Sequence, residues 1–424
     1  MPITSSAANP FWLSCAPTTS LPASRPASLT RASGRPFAKS DSDFMTSLIG
    51  FDAREAFRKN PRGIGLYCRH LLREFGAIEH DFRFLAYHER PAPSGMPELP
   101  RSAHAKQVTM KGDRFYLWER IRMPWELRRD RVDVYHGTYN TLPPRLIGWG
   151  AMPMVVTLHD VIVTWWNEHT EEPYIKYCRG ASTRIVREAA KILTVSDWSK
   201  QDICERFNVP EQKVEVFHNG IHPDFLVDPH NSVADEARAE FAAGRPYIYC
   251  LGAPTPRKNT AGFIDALGLL QQRGHLDVAA VITGVDEQHQ ADFREQLARL
   301  GLEKDVFLYG YITREQMIGL YAGAVLTVYP SHAEGWGIPI VESLAIGTPV
   351  ATSKTTAMPE SGGDFASYFD PASREDMAEV IQTAIHNAPN FGASRAEAQA
   401  RARTFTWRAA AEKTLDVYRE LAGG

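Results

Sequence analysis

From Met45 onward, short apolar runs alternate with longer amphipathic stretches. Leu48–Phe51, Phe82–Tyr87, Lys106–Met110, Val132–His136, Met154–Leu158, Ile192–Val195 and Val214–Phe217 read as strands. Helical spacing fills the gaps at Gly65–Phe75, Phe115–Arg129, Tyr174–Ala190 and Asp197–Phe207. Residues 222–246, punctuated by Pro223, Pro229 and Pro246, read as a linker. The pattern then restarts, with strands at Tyr247–Leu251, Val278–Thr283, Val306–Tyr309, Val325–Val328 and Pro349–Thr352. Its helices are Thr260–Arg273, Glu287–Leu300, Arg314–Ala322, Pro339–Ile346, Ser373–His386 and, last, Thr406–Leu421.

Such alternation predicts an α/β protein of two doubly wound, Rossmann-like domains, residues 45–225 and 226–403. A closing helix over 404–424 is placed to cross back to the first domain. Ligands in open parallel sheets bind beyond the carboxyl ends of the strands, so the site belongs in the cleft between the two halves.

The first 44 residues differ. Residues 1–40 hold eight Ser and six Pro and no acid, too little apolar surface to offset the entropy of ordering. They read as a disordered extension, with Met45 as the start of the folded chain. A DxD triplet, Asp41–Ser42–Asp43, falls in this tail away from any strand end and carries no metal reading.

Charge and cysteine content narrow the function classes. The 424 residues carry 47 Lys+Arg against 50 Asp+Glu, a net charge of −3, which argues against a nucleic-acid partner. Five scattered cysteines without a CxxC pair exclude a disulfide framework and a structural zinc site, and point to the cytoplasm. No apolar run approaches the roughly 18 residues a spanning helix needs.

Glu334-Gly-Trp-Gly-Ile-Pro-Ile-Val-Glu342 is the strongest chemical signal. Gly335 and Gly337 permit close backbone approach, and Pro339 suits the first turn of a helix whose positive end faces the loop. Glu334 and Glu342 then suit hydroxyl groups better than phosphate. At the end of the second domain's first strand, Arg257-Lys258-Asn259 puts two cations where a diphosphate can be neutralised. In the first domain, His159 and His136 compete as strand-end histidines facing a reacting group. Arg62-Gly63-Ile64-Gly65 opens the first long helix with part of a glycine-rich pattern. His218 and His222 are separated by Asn219-Gly220, which breaks a helix, and no metal site is predicted.

The order of these motifs resembles glycosyltransferase family 4, of the GT-B fold. The matching stretches include "GFDAR", "RGIGLY", "HGTYNTLPP", "VVTLHDV", "ILTVSDWSKQDI", "VFHNGI", "PRKN" and "PSHAEGWGIPIVESLAIGTPV". The resemblance implies a retaining, metal-independent transfer from a nucleotide-activated sugar, with no cofactor. It implies catalytic roles for His159, Arg257, Lys258 and Glu334, and donor binding by Gly335, Trp336, Gly337, Ile338 and Glu342, the last through ribose hydroxyls. Gly63 and Gly65 would face the acceptor. Ala253 departs from the pattern, since many members carry a basic residue there, a charge that Arg257 is placed to cover.

The subfamily with "PRKN" and "FYLWERIRMPWEL" looks most like bacterial mannosyltransferases of exopolysaccharide or lipopolysaccharide assembly. GDP-mannose is the first expectation for the donor, UDP- or dTDP-hexoses the second. The acceptor would be a glycan or lipid-linked glycan at the inner membrane face. Lys111–Arg131, with seven Lys/Arg against four Asp/Glu among aromatics, is the candidate membrane contact. A non-catalytic nucleotide-sugar-binding protein or an epimerase on the same fold is the alternative, to be separated by screening donor turnover.

Overall fold

The computed structural model describes residues 47–59, 61, 63–94, 96, 98–109, 117–145, 152–166 and 173–423. The N-terminal extension read for residues 1–44 lies outside them. The first lobe is built on strands β1 (Ser47–Asp52), β2 (Phe82–His88), β3 (Ala103–Gln107), β4 (Val134–Gly137), β5 (Met154–Thr157), β6 (Lys191–Thr194) and β7 (Val214–Val216). Helices α1 (Ile64–Ala77), α2 (Met123–Asp130), α3 (Pro173–Glu188) and α4 (Asp197–Phe207) connect them.

The second lobe has strands β8 (Tyr247–Leu251), β9 (Ala279–Thr283), β10 (Val306–Leu308), β11 (Leu326–Tyr329), β12 (Val350–Ser353) and β13 (Ala366–Phe369). Its helices are α5 (Asn231–Ala242), α6 (Thr260–Gln272), α7 (Glu287–Leu300), α8 (Arg314–Gly323), α9 (Ile338–Ile346), α10 (Met358–Gly362), α11 (Arg374–Asn387) and α12 (Arg395–Ala402). The last helix is α13 (Trp407–Ala422).

Both sheets are parallel throughout. Their orders are β3-β2-β1-β4-β5-β6-β7 and β10-β9-β8-β11-β12-β13. In each, the direction of winding reverses beside the first strand, between β1 and β4 and between β8 and β11. Loops leaving those strand pairs splay apart and open the crevice where parallel sheets bind ligands. Central strands such as β9 are buried along their whole length, which explains their unbroken apolar sequence.

The sequence pattern fails at the edges. The third strand sits at Ala103–Gln107 rather than 106–110, and β13 has no counterpart in the predicted series. Each is an edge strand with a single buried position, Ala103 or Phe369, so burial writes little hydrophobic signal into it. The predicted linker contains α5, which buries only Ala237, Phe241 and Ala242 against the second lobe. In the predicted helix Phe115–Arg129, residues 115 and 116 are not described, and Trp118–Arg122 form a π-helical turn before α2. Pro124 has no N–H to give the carbonyl four residues back, so the turn widens there.

The chain passes between lobes twice, side by side. The Ile221 N–H donates to the Phe405 carbonyl, and a Cβ on Gly220 would lie 2.2 Å from the Trp407 nitrogen. The second passage delivers α13 onto α1 of the first lobe. There the Tyr418 hydroxyl meets His136 Nδ1 at 2.6 Å, while His136 Nε2 meets Thr157 Oγ1 at 2.7 Å. Burial pushes the His136 pKa down to about 3, so the ring is neutral and both nitrogens are used. Tyr418→Phe leaves Nδ1 buried without a partner. It is expected to lower stability by about 1–3 kcal/mol, read from the urea midpoint of the full chain.

Candidate active site

Arg257 and Lys258 stand on a single 3₁₀ turn just past β8. Asn259 ends that turn at φ 55°, and its side-chain amide donates to the carbonyls of Pro330 and Pro371. The turn is thereby fastened to the loop that leaves β11, on the other side of the switch point. That loop carries Glu334. Glu334 Oε1 lies 3.0 Å from Arg257 Nη1 and 2.8 Å from Lys258 Nζ, and Lys258 also donates to the Tyr329 hydroxyl at 2.7 Å. Arg257 further donates to the Ala333 carbonyl. Burial works against ionisation of Glu334, but Lys258 and Arg257 outweigh it and hold the carboxyl down at about 2. The three side chains thus carry a net +1 at neutral pH, beside the start of α9.

Helix α9 has no side-chain cap. Its N-cap, Gly337, donates its N–H to Ser361 Oγ, and Pro339 brings no donor to the first turn. The open positive end is suited to an anion. Ile338 begins the helix and is partly buried. Glu342 lies a turn further along and turns away from the cations, toward the Tyr321 hydroxyl at 3.1 Å. Burial pushes Glu342 up to about 8, against the opposing effects of the Tyr321 hydrogen bond and the Arg314 charge.

The glycines of this loop make room for the other lobe as well as for a ligand. A Cβ on Gly335 would lie 2.6 Å from the His159 carbonyl and 2.8 Å from Asp160 Cβ. Ser199 Oγ bonds both the Gly335 and His159 carbonyls, at 3.3 and 3.4 Å. The Trp336 side chain does not face the cations: its indole packs between His218, 4.7 Å away, and Phe405, 5.1 Å away. Only its backbone remains for the loop.

His159, rather than His136, is the histidine at the crevice. Its N–H is held by Asn140 Oδ1 and its Nε2 lies 3.2 Å from the Thr138 carbonyl. A carbonyl only accepts, so Nε2 carries the proton and Nδ1 is the acceptor. Burial pushes its pKa down to about 4, partly offset by the Thr138 bond, and the ring is neutral at pH 7. Tyr67 of α1 packs edge-on against it, and Cys68 bonds Thr138. Helix α1 thus touches His159 through Tyr67, not through the glycines that open it. Gly63 has φ 42°, and a Cβ on Gly65 would lie 2.8 Å from the Glu55 carbonyl.

Three contributors were not visible in the sequence. Asp160 is raised by burial and pulled back by Arg257, which places a first-lobe carboxylate within the field of the second lobe's cation. Thr356, at φ 54°, receives the Glu334 N–H on its hydroxyl. Glu360 of α10 reaches across to the first lobe, where Asp197 N, Trp198 N and His218 Nε2 lie at 2.9, 3.1 and 2.8 Å from its oxygens. Asp197, His218 and Glu360 have ligand atoms within 4.8 Å of one another, the one such group found among the described residues. Both Glu360 oxygens are already bound there, so the cluster acts as a pin between lobes.

Comparison with known proteins settles the family. Residues 61–225 match Glycosyltransferase Family 4, and residues 233–405 match Glycosyl transferases group 1. The chain is a GT-B glycosyltransferase of the family 4-like kind. It is 25% identical to O-antigen chain mannosyltransferase B of Escherichia coli, over 87% of this chain and 99% of that protein. It is 22% identical to MMP alpha-(1->4)-mannosyltransferase of Mycolicibacterium hassiacum, over 84% and 94% of the two chains. The fold superposes on Anabaena HepE, solved with UDP and glucose, at a TM-score of 0.66 and 18% identity, covering 88% of this chain and 99% of that one.

In this glycosyltransferase the two glutamates of one loop-helix element carry opposite pH signatures. Glu342 takes up its proton more readily folded than unfolded, so it costs the native state increasingly as pH rises from about 4.5 to 8. Glu342→Gln is expected to raise the melting temperature of the unliganded enzyme at pH 8 and to change it little at pH 4.5, followed by thermal melts across that range.

Proposed function

We propose that the enzyme transfers a mannosyl group from GDP-mannose, with retention and without a catalytic metal, to a glycan or lipid-linked glycan of a surface polysaccharide. The observation that carries this reading is the cation pair Arg257–Lys258, steadied by Glu334 beside the open end of α9. Breaking a sugar–diphosphate bond puts negative charge on the leaving phosphate. Preorganised cations and a helix terminus stabilise that charge without reorganising, the task a divalent ion otherwise performs. Glu342 and Glu334 serve as acceptors for ribose and sugar hydroxyls. Neutral His159 offers Nδ1 to a hydroxyl of the transferred sugar. The choice of mannose rests on the names of the two relatives above.

The acceptor side has its own support. In the segment read as a membrane contact, residues 111–116 are not described, but the rest separates sharply. Glu119, Glu126 and Asp130 are buried, whereas Arg120, Arg128, Arg129 and Arg131 point outward. Leu117, Ile121 and Trp125 are exposed at a spacing of four, one stripe along the helix, and Trp125 lies under the guanidinium groups of Arg122 and Arg129. A basic outer face with an apolar stripe fits the surface of an anionic membrane, which supports a reading in which the enzyme works at the cytoplasmic side. Among the described residues no helix is long and apolar enough to cross a membrane.

Turnover of GDP-, UDP- and dTDP-sugars tests the donor. GDP-mannose is expected to be preferred, unaffected by EDTA, and another preferred donor overturns that part. Lys258→Ala is expected to lower kcat by roughly 10²–10³, since it faces charge that grows in the transition state. Glu342→Ala is expected mainly to raise the donor KM, by a factor worth about 0.5–1.5 kcal/mol, as for a hydrogen bond from a largely protonated carboxyl. Vesicle sedimentation checks the docking face: binding is expected to require anionic lipid, to weaken with salt, and to fall in Trp125→Ser. Equal binding to neutral vesicles counts against it.

A further inference from the structure

A cavity of about 290 Å³ lies at the flank where the lobes meet, away from the Arg257–Lys258 turn and the glycine loop. Roughly ten waters would fill that volume, which accommodates a phosphate group and several carbons. Its lining comes from three places. Helix α1, Met96 and residues 98–100 belong to the first lobe, His222 to the passage between lobes, and Arg314 to the first turn of α8 in the second.

The lining has two chemical halves. Arg69, Arg73 and Arg314 bring three guanidinium groups against one carboxylate, Glu98. Leu66, Leu72, Met96 and Leu99 supply an apolar wall. Arg69 spends its hydrogen bonds on the backbone carbonyls of Ala56 and Arg58, so its charge is not cancelled locally by those contacts. Arg73 pairs with Glu74 at the surface and Arg314 with Asp224 at 3.1 Å.

His70 is the residue that makes this more than a gap. It is only 7% exposed, and its ring stacks on Trp407 at 4.7 Å and meets His222 edge-on at 5.3 Å. Yet no hydrogen bond to either ring nitrogen is found among the described residues. Neither nitrogen is sealed off from the cavity, which His70 lines, so both can reach an occupant. Burial, with Arg73, His222 and Arg314 nearby, pushes its pKa down to about 3, so the ring has one donor and one acceptor nitrogen to offer.

We propose that this cavity is a second binding site, one that takes a phosphate ester joined to an apolar body, with His70 and the three arginines holding the phosphate. The arginine fork suits phosphate oxygens, His70 offers a hydrogen bond from inside, and the aliphatic wall covers what the phosphate carries. Because the lining spans both lobes, an occupant ties them together. Arg314 also acts on Glu342 electrostatically, which links the cavity to the donor side. The site does not depend on which sugar nucleotide the enzyme uses.

Isothermal titration of the full chain with inorganic phosphate and with a ten-carbon prenyl monophosphate tests the site. His70→Phe keeps the stacking on Trp407 and removes the nitrogens. Arg73→Ala alters an exposed side chain and leaves the fold undisturbed. Each is expected to weaken binding tenfold or more, while Lys258→Ala leaves it unchanged. Tighter binding of the prenyl ester identifies a lipid phosphate as the occupant, and equal affinities identify a free phosphorylated metabolite. No saturable binding, or binding lost in Lys258→Ala and kept in both other variants, overturns the proposal.

Discussion

One buried carboxylate organises the candidate site. Glu334 leaves β11 and meets two cations that leave β8, and strand order is what makes those neighbours. Like-charged Arg257 and Lys258 repel each other when held this close in a low-dielectric site. A fixed negative charge between them removes that repulsion and leaves a single surplus positive charge for a ligand. Glu342, eight residues on, has no cation in contact and responds in the opposite sense. One element thus supplies a permanent anion and a carboxyl that ionises only with difficulty, by surroundings alone.

The same loop fixes how the lobes approach. Gly335 has no side chain, so the backbone can lie against His159 and Asp160, and Ser199 bonds both strands of that contact. Glu360 adds charge-assisted bonds to the free N–H groups at the start of α4, where Ser196 satisfies only the third. The helix terminus of one lobe is completed by a carboxylate of the other. The contacts that hold the lobes together therefore adjoin the candidate catalytic groups.

Much of this was legible in the sequence, for identifiable reasons. Buried central strands such as β8 and β9 announce themselves because both faces demand apolar residues. The Gly335–Pro339 turn and the Arg257–Lys258 pair are local, so spacing alone marks them. The edge strands β3 and β13 escaped because each buries only one position. Choosing between His136 and His159 required knowing that Tyr418, 282 positions away, occupies the former. Glu360 looks like an ordinary surface acid until α4 is seen opposite it, and the aromatic Trp336 looks like a ligand contact until His218 and Phe405 close around it. Arg120 and Glu126 look interchangeable in a charge count, yet one faces out and the other in. Long-range pairing decides each of these, and no short window of sequence contains it.

The return of α13 to the first lobe bears on how the molecule comes into being. A chain emerging from the ribosome ordinarily completes its first domain while the second is still being made. Here the partner of His136 on β4 is residue 418 of 424, and α13 packs on α1. Until α13 has emerged, the N-terminal sheet has α1 uncovered and one buried nitrogen of His136, Nδ1, unpaired. Its completion waits for α13, so the N-terminal lobe is finished only after the second lobe has been made.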